Sequence, residues 1–366
     1  MDAVIPGIDA LYSVAAGILR CVPEGLARGV VSTGLYGLGF LGKWALPRLQ
    51  QDGVKIVACY DANEALNGTV ADGVPVYSAG RLKEAPPEFL VVTARHAIAQ
   101  VSAMLKPLGI AHVSYDAWQV AANFAAFRRV HDDLLSDVRS KEALRAVMMT
   151  MLTGQARYCA FVFEKDQYFS LPKFCGSEKE SFVDAGAFVG DTVERFVSAQ
   201  SGIFSRIYAF EPGRRQFAAL QARSERLIRE WALQPDSIEL INAGLGGNDG
   251  YVFATSDSGQ LTSLAMFSHG GAGAEAVKVL GLDNFLGGRQ VSFLKADVEG
   301  MEMALLKGAR ASIRQLRPKI AICVYHYPTD IPDIANYLAE LVPDYRFALR
   351  HHSPQLMETV LYCWVD

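Results

Sequence analysis

Reactive side chains in this sequence collect where apolar runs end. "SFVDAGAFVGDT" breaks at Asp184 into a turn holding Gly186 and Gly190, and "IYAFEP" ends at Glu211. Further along, "VSFLKA" runs into Asp297 and Glu299, "KIAICVY" into His326, and "YRFALR" into His351 and His352. In an open α/β sheet, ligands sit beyond the carboxyl ends of the strands, so these groups are expected to face one crevice. The last apolar run is expected to lie antiparallel, which brings its beginning, Glu358 and Thr359, to the same edge.

The residue types suggest what such a crevice does. A glycine turn at a helix N-terminus offers free backbone N–H groups to an anion or carboxylate. An acid at the tip of the next strand can accept both ribose hydroxyls of a nucleoside. Asp184 with its glycines and Glu211 therefore describe a nucleoside site without a pyrophosphate loop. A hydroxyl acceptor is a poor nucleophile until a base takes its proton, and histidine titrates near working pH. His326 is the expected general base, His351 its rival, and Asp297 the group that orients base or acceptor. Tyr325, Arg350 and Glu358 are candidate substrate contacts. The alternative is a divalent metal on Asp297, Glu299 and one histidine, acting as a Lewis acid; the spacing is not diagnostic of one, and none is assigned. Glu302, in "DVEGMEMALLKGA", reads as a helix cap, and His352 as a solvated neighbour of His351.

The elements that must position these groups follow from the wider pattern. The chain has 366 residues, half of them apolar and a fifth charged, with a net charge of -4. That length accommodates two cores, and no basic surface points to nucleic acid. Residues 1–28 read as an amphipathic helix packed on the protein; Asp2 and Asp9 stand where a signal peptide wants positive charge, and the apolar stretch is too short to span a bilayer. Six scattered cysteines, none in C-x-x-C spacing, read as buried reduced thiols of a cytoplasmic protein.

Residues 29–130 alternate short strands and helices, the pattern of a helix-covered parallel sheet. Residues 131–178 read as a helical linker. From 179 to 366 the alternation restarts, with five strand runs followed by a pair joined by a short loop. The stretch "SDSGQLTSLAMFSHGGAGAE", which includes His269, reads as a glycine-rich lid over the crevice.

From about residue 157 onward the chain resembles the FkbM-type S-adenosylmethionine-dependent methyltransferases, in "FVDAGAFVGDTVERF", "YAFEPGRRQF", "LKADVEGMEMALLKGA" and "YRFALRHHSPQLMETVLY". The resemblance implies a seven-stranded class I methyltransferase sheet, S-adenosylmethionine as donor, and a hydroxyl acceptor on a sugar, nucleotide-sugar or natural product. It places Asp184, Gly186, Gly190 and Asp191 on the methionine side of the cofactor and Glu211 on its ribose, with Asn242 near the adenine. The fold class expected is thus α/β in two domains, a small Rossmann-like parallel sheet followed by the methyltransferase sheet. A small-molecule acceptor, no membrane and scope for a homo-oligomer complete the expectation.

The first unit carries its own motif, "LYGLGFLG", in which Gly37, Gly39 and Gly42 fit G-x-G-x-x-G and Asp61 ends the next strand run. The unit resembles the small nucleotide-binding domains that precede catalytic domains in sugar-modifying enzymes, which implies a nucleotide moiety held at these four residues. A docking or dimerisation module, and an NAD-dependent oxidoreductase, remain the other two readings. No Ser/Tyr/Lys or His/Asp set stands beside the loop for hydride chemistry.

Overall fold

The computed structural model describes residues 4–176, 180–255, 265–267 and 275–366. Helix α1 (Ile8–Cys21) precedes a first sheet of β1 (Thr33–Tyr36), β2 (Ile56–Asp61), β3 (Val70–Ala71), β4 (Val74–Ser78), β5 (Phe89–Val92) and β6 (His112–Ser114). Its order is β3-β4-β2-β1-β5-β6, parallel except where the short β3 turns back on β4. Helix α2 (Phe40–Gln51) makes the crossover from β1 to β2. The strand order reverses beside β1, so the ends of β1 and β5 form the switch point where an α/β sheet opens a crevice.

Helices α3 (Tyr115–Ala122) and α4 (Val138–Thr153) lead to a second sheet. Its strands begin with β7 (Ser181–Ala185), β8 (Arg206–Phe210) and β9 (Ile238–Ile241). Helix α5 (Asp191–Ala199) joins β7 to β8, and α6 (Arg214–Glu230) joins β8 to β9. A small sheet follows, made of β10 (Gly244–Gly246), β11 (Gly250–Thr255), β12 (Ala265–Phe267) and β13 (Glu275–Gly281). The main sheet resumes with β14 (Phe293–Ala296), β15 (Lys319–Cys323), β16 (Arg346–His351) and β17 (Thr359–Trp364). Helices α7 (Glu302–Gly308) and α8 (Asp330–Leu341) follow β14 and β15. The seven main strands are ordered β16-β17-β15-β14-β7-β8-β9, with β17 antiparallel to both its neighbours. This is the appended antiparallel strand expected from the last two runs.

Both central strands of the second sheet, β7 and β14, are buried along their whole length, as helix cover on both faces requires. One core reaches further than the sequence pattern suggested. Leu11 and Ala15 of α1, Val120 of α3, Leu144 and Val147 of α4, and Val183, Leu294 and Leu349 of the sheet form a single apolar cluster. The Ser140 hydroxyl, on α4, accepts a hydrogen bond from the backbone N–H of Leu349 on β16 at 2.9 Å. The segment read as a linker is therefore a helical layer of the second unit, because its apolar face has a sheet to cover.

The small four-stranded sheet was not anticipated; two of its strands, β10 and β12, are only three residues long. Apart from the strand Ala265–Phe267 and Glu275, the stretch read as a lid, His269 included, lies outside the described residues. Among the described residues, no helix is long and apolar enough to cross a membrane.

Candidate active site between the two sheets

The carboxyl edges of the two sheets face each other across a crevice of about 690 Å³. The second unit lines it with Gly186, Phe188, Asp191, Glu211, Lys295, Asp297, Glu299, Tyr325, His326 and Glu358, and the first unit adds Phe40, Arg95 and His96. A separate hollow of about 510 Å³ is lined by Arg310, Arg314 and Tyr337, on helices rather than at strand ends.

On the side of β7 and β8, the backbone is held tightly around the crevice. Gly186 has φ +76°, and a Cβ there would lie 1.9 Å from the carbonyl oxygen of Asp297. Only glycine lets the turn after β7 pass so close to the end of β14. Gly190, at φ +84°, caps α5 and lies against Leu220. Glu211 accepts the N–H groups of Phe188 at 2.9 Å and Gly213 at 2.7 Å. Burial pushes its carboxyl up to about 7, with those two hydrogen bonds pulling the other way. Asn242 does not line the crevice; its amide donates to the Glu211 carbonyl oxygen at 2.8 Å and so supports the acid's backbone.

Asp184 is fully buried behind the turn and pairs with Lys295 Nζ at 3.0 Å. Lys295 also donates to the Gly186 carbonyl at 2.7 Å. Burial alone would discharge this lysine, but the Asp184 carboxylate more than offsets that and holds its ammonium above the ordinary value. The acid expected on the methionine side thus acts through Lys295, which does reach the crevice.

On the side of β14 and β15, His326 is 95 % buried, at 5 % exposure. Its Nε2 lies 3.4 Å from Glu299 and 3.7 Å from Asp297, and its Nδ1 lies 3.2 Å from Glu302. Burial would lower its pKa, yet the Glu302 charge, followed by Glu299 and Asp297, raises it well above the ordinary histidine value. The raised value favours the charged imidazole, a form suited to pairing with these carboxylates rather than to taking a proton. Asp297 accepts from Tyr168 Oη at 3.0 Å and Tyr325 Oη at 3.4 Å. Glu358 is held at the same mouth by Gln167 Nε2 at 2.5 Å. Glu299 sits at φ +53°, a strained conformation for a residue with a Cβ.

Three expectations are corrected. His351 is fully buried, with Nδ1 on Thr359 Oγ1 at 2.9 Å and Nε2 on the Gln355 carbonyl at 2.8 Å, and it does not reach the crevice. His352 is likewise buried rather than solvated, against Tyr362 Oη and the Glu164 carbonyl. Arg350 is turned toward α4, contacting Ser140 Oγ at 2.7 Å and Asp137 at 3.3 Å. Arg350 points into the helical layer because that layer covers its face of β16.

The first unit's glycine loop packs as its spacing requires. A Cβ on Gly42 would lie 1.8 Å from the Gly37 carbonyl oxygen, and Gly37 has φ +100°; Gly39 has open space around it. Asp61, however, already accepts from Leu38 N at 2.6 Å and Asn63 N at 2.8 Å. The loop closes on itself and sends the next residue into the crevice: Phe40 stacks on Tyr327 with centroids 5.5 Å apart, and Trp44 stacks on the same ring at 4.2 Å. Arg95 forms a two-pronged pair with Asp116 at 2.7 and 2.9 Å, and its Nη1 donates to the carbonyls of Tyr325 and His326 at 2.7 and 3.3 Å.

Residues 184–347, from the acid behind the glycine turn to the start of β16, match the model of the methyltransferase FkbM domain. That match spans a little under half of the chain and supports a methyltransferase. Its fold resembles the crystal structure of methyltransferase FkbM from Methylobacillus flagellatus KT, with 24 % identity over 97 % of this chain and 98 % of that one and a TM-score of 0.61. Weaker likenesses include a putative rRNA methylase from Clostridium thermocellum (10 % identity, 52 % of this chain and 89 % of that one, TM-score 0.32). Another is a putative methyltransferase from Streptococcus mutans solved with SAH (13 %, 52 % and 90 %, TM-score 0.30). No curated protein matches the chain. The domain match supports an S-adenosylmethionine-dependent methyltransferase.

Among the residues at the crevice that sequence reasoning missed are Lys295, Arg95, His96, Gln167 and Tyr168. Lys295 was visible as the one charge within "VSFLKA", where a buried lysine demands a partner. Arg95, Gln167 and Tyr168 carried no local signal, because only the packing of distant segments brings them to the strand ends.

Proposed function

We propose that this enzyme methylates a hydroxyl of a small acceptor, of the sugar, nucleotide-sugar or natural-product class, in the crevice between its two sheets. The observation that carries the reading is the convergence of Glu211, the Gly186 turn, Asp297 and Tyr325 on one cavity with the first unit as its opposite wall. The donor fits the residues present: Gly186 lets the turn after β7 close against the end of β14 at the crevice wall, and Glu211 stands buried at the strand tip and lines the crevice. Glu211 would hold the ribose, and the turn at Gly186 to Gly190 with Asp191 the methionine portion, braced by Lys295. The chemistry supplied by S-adenosylmethionine when bound is an electrophilic methyl, displaced in line by the acceptor oxygen.

The chain's own contribution is to orient that oxygen and remove its proton. Asp297 is the carboxylate placed for this, fixed by the hydroxyls of Tyr168 and Tyr325, and His326 serves as the charged partner that holds the acidic cluster together. A positioned base contributes about 10²–10⁴-fold, so Asp297→Asn should lower kcat by at least about 10²-fold while S-adenosylmethionine binding persists. Phe40 and His96 present the first unit to the acceptor, which gives that unit a role as wall of the site.

The test is calorimetric titration of S-adenosylmethionine, and separately NADH, into wild type and Glu211→Ala. The expected result is S-adenosylmethionine binding that the substitution weakens, with no NADH binding. NADH binding insensitive to Glu211, with no S-adenosylmethionine binding, would overturn the reading.

A further inference from the structure

A small hollow opens off the crevice beside the first unit. Arg95, His96 and Leu356 line both spaces, and the hollow beyond them measures about 170 Å³. Ser114 enters it from the end of β6, Met151 from α4, and Gln355 from the loop between β16 and β17. Its wall closes where Ile98 packs on Gly154: a Cβ on that glycine would lie 2.0 Å from Ile98 Cγ2. The two units therefore build the hollow together, as they build the crevice.

The lining is mixed and carries no spare charge. Ile98, Met151 and Leu356 supply apolar surface. Arg95 and Asp116, its charged residues, are spent on each other in their two-pronged pair. The side chains of Ser114, Gln355 and His96 make no hydrogen bond to protein among the described residues, so their donors and acceptors are open to a ligand. Burial, and then the charge of Arg95, lowers the His96 imidazole below its ordinary value, and the neutral ring offers one donor and one acceptor. The volume is that of roughly six water molecules, room for one ring with apolar faces and hydroxyl edges.

A second, independent observation is the charge balance of the crevice itself. Lys295 is matched by Asp184 at 3.0 Å, and His326 by Asp297, Glu299 and Glu302 at 3.2–3.7 Å. Each fixed cation of the lining thus already has its carboxylate, while Asp191 and Glu358 add further acids. Phosphate recognition draws on arginine or lysine, and a like charge brought against acids is repelled. The crevice suits a cationic donor and rejects a phosphate-bearing acceptor.

We propose that the acceptor is a neutral glycoside of at least two rings, with the methylated ring in the crevice at Asp297 and the next ring in the hollow, held by Ser114, Gln355 and His96. The fate of the first ring rests on the methyl-transfer reading above; the seating of the second does not. Of the acceptor classes named there, this one excludes nucleotide-sugars, whose diphosphate would meet Glu299 and Glu358.

The probes are neutral disaccharides (maltose, cellobiose, lactose and trehalose), glucose, galactose and UDP-glucose. Each is titrated into the full chain with S-adenosylhomocysteine present and followed by saturation-transfer-difference NMR. At least one disaccharide is expected to bind about tenfold or more tighter than either monosaccharide, with UDP-glucose no tighter than glucose. Ala156→Phe, at the exposed rim of the hollow, should remove that gain, and Gln355→Ala should reduce it several-fold; the second variant keeps the test open if the first fails to fold. Disaccharides that bind no better than monosaccharides, or UDP-glucose binding more tightly than all of them, would overturn the proposal. Calorimetry with S-adenosylhomocysteine alone separates the two inferences. Cofactor-product binding without the disaccharide gain sinks only the two-ring acceptor, and the gain without such binding supports the hollow while counting against methyl transfer.

Discussion

Glu211 carries the most direct pH dependence in the molecule. Its carboxyl is raised to about 7, chiefly by burial, and only the ionised form accepts from two ribose hydroxyls. S-adenosylmethionine affinity should therefore be full above about pH 7 and fall by up to about tenfold for each unit below it. Calorimetry across that range checks the slope, and Glu211→Gln should bind weakly with a flat profile. The histidines on β16 act on stability instead. His351 and His352 are both lowered from 6.5 to about 4, first by burial. The unfolded chain takes up these protons as pH falls below 6.5, while the folded chain does not until about 4. Their contribution is thus fully present above 6.5 and is lost as pH drops through that window, on the order of 2–3 kcal/mol for each. Urea unfolding of His351→Gln should show a shallower acid limb than wild type; an identical limb would exclude His351 as its source.

At the scale of elements, the crevice depends on a latch between the sheets. Arg95, from the loop after β5, ties Asp116 to the backbone that carries Tyr325 and His326. Removing it leaves Asp116, 3 % exposed, as a buried charge without its partner. The cost is about 3 kcal/mol or more. Arg95→Ala should lower the Tm by several degrees and reduce kcat, whereas Arg95→Lys should keep part of the stability through charge alone. Differential scanning calorimetry with steady-state rates separates these effects.

The strands that end at the site were legible from sequence because parallel strands buried on both faces read as unbroken apolar runs. Their terminal residues, Asp184, Glu211, Asp297 and His326, were legible for the same reason. The side-chain direction at the end of β16 was not. Arg350 turns toward α4 and His351 toward Thr359 and Gln355, and the helical pattern of 138–153 shows an apolar face without showing what lies against it. Nor could a short run such as "GLG" announce β10, which owes its place to pairing with β13.

For the molecule as a whole, the shared core decides which pieces can stand alone. A fragment from 179 to 366 contains every strand of the second sheet but lacks α1, α3 and α4, whose Leu11, Val120, Leu144 and Val147 share one core with Val183 and Leu349. Each large apolar side chain stripped of its cover forfeits about 1.5–3 kcal/mol, and a handful of these exceeds the whole stability of an ordinary domain. That fragment should be insoluble, or should bind a hydrophobic dye and unfold without a cooperative transition. Restoring residues from 115 onward returns α3 and α4 but neither α1 nor the wall formed by Phe40, Arg95 and His96. The longer fragment should recover cooperative unfolding in part and S-adenosylmethionine binding with it, yet show no acceptor turnover. A shorter fragment that melts as sharply as the full chain would mean that the helical layer merely decorates the second sheet. Full turnover by the longer one would mean that the first unit has no part in the site.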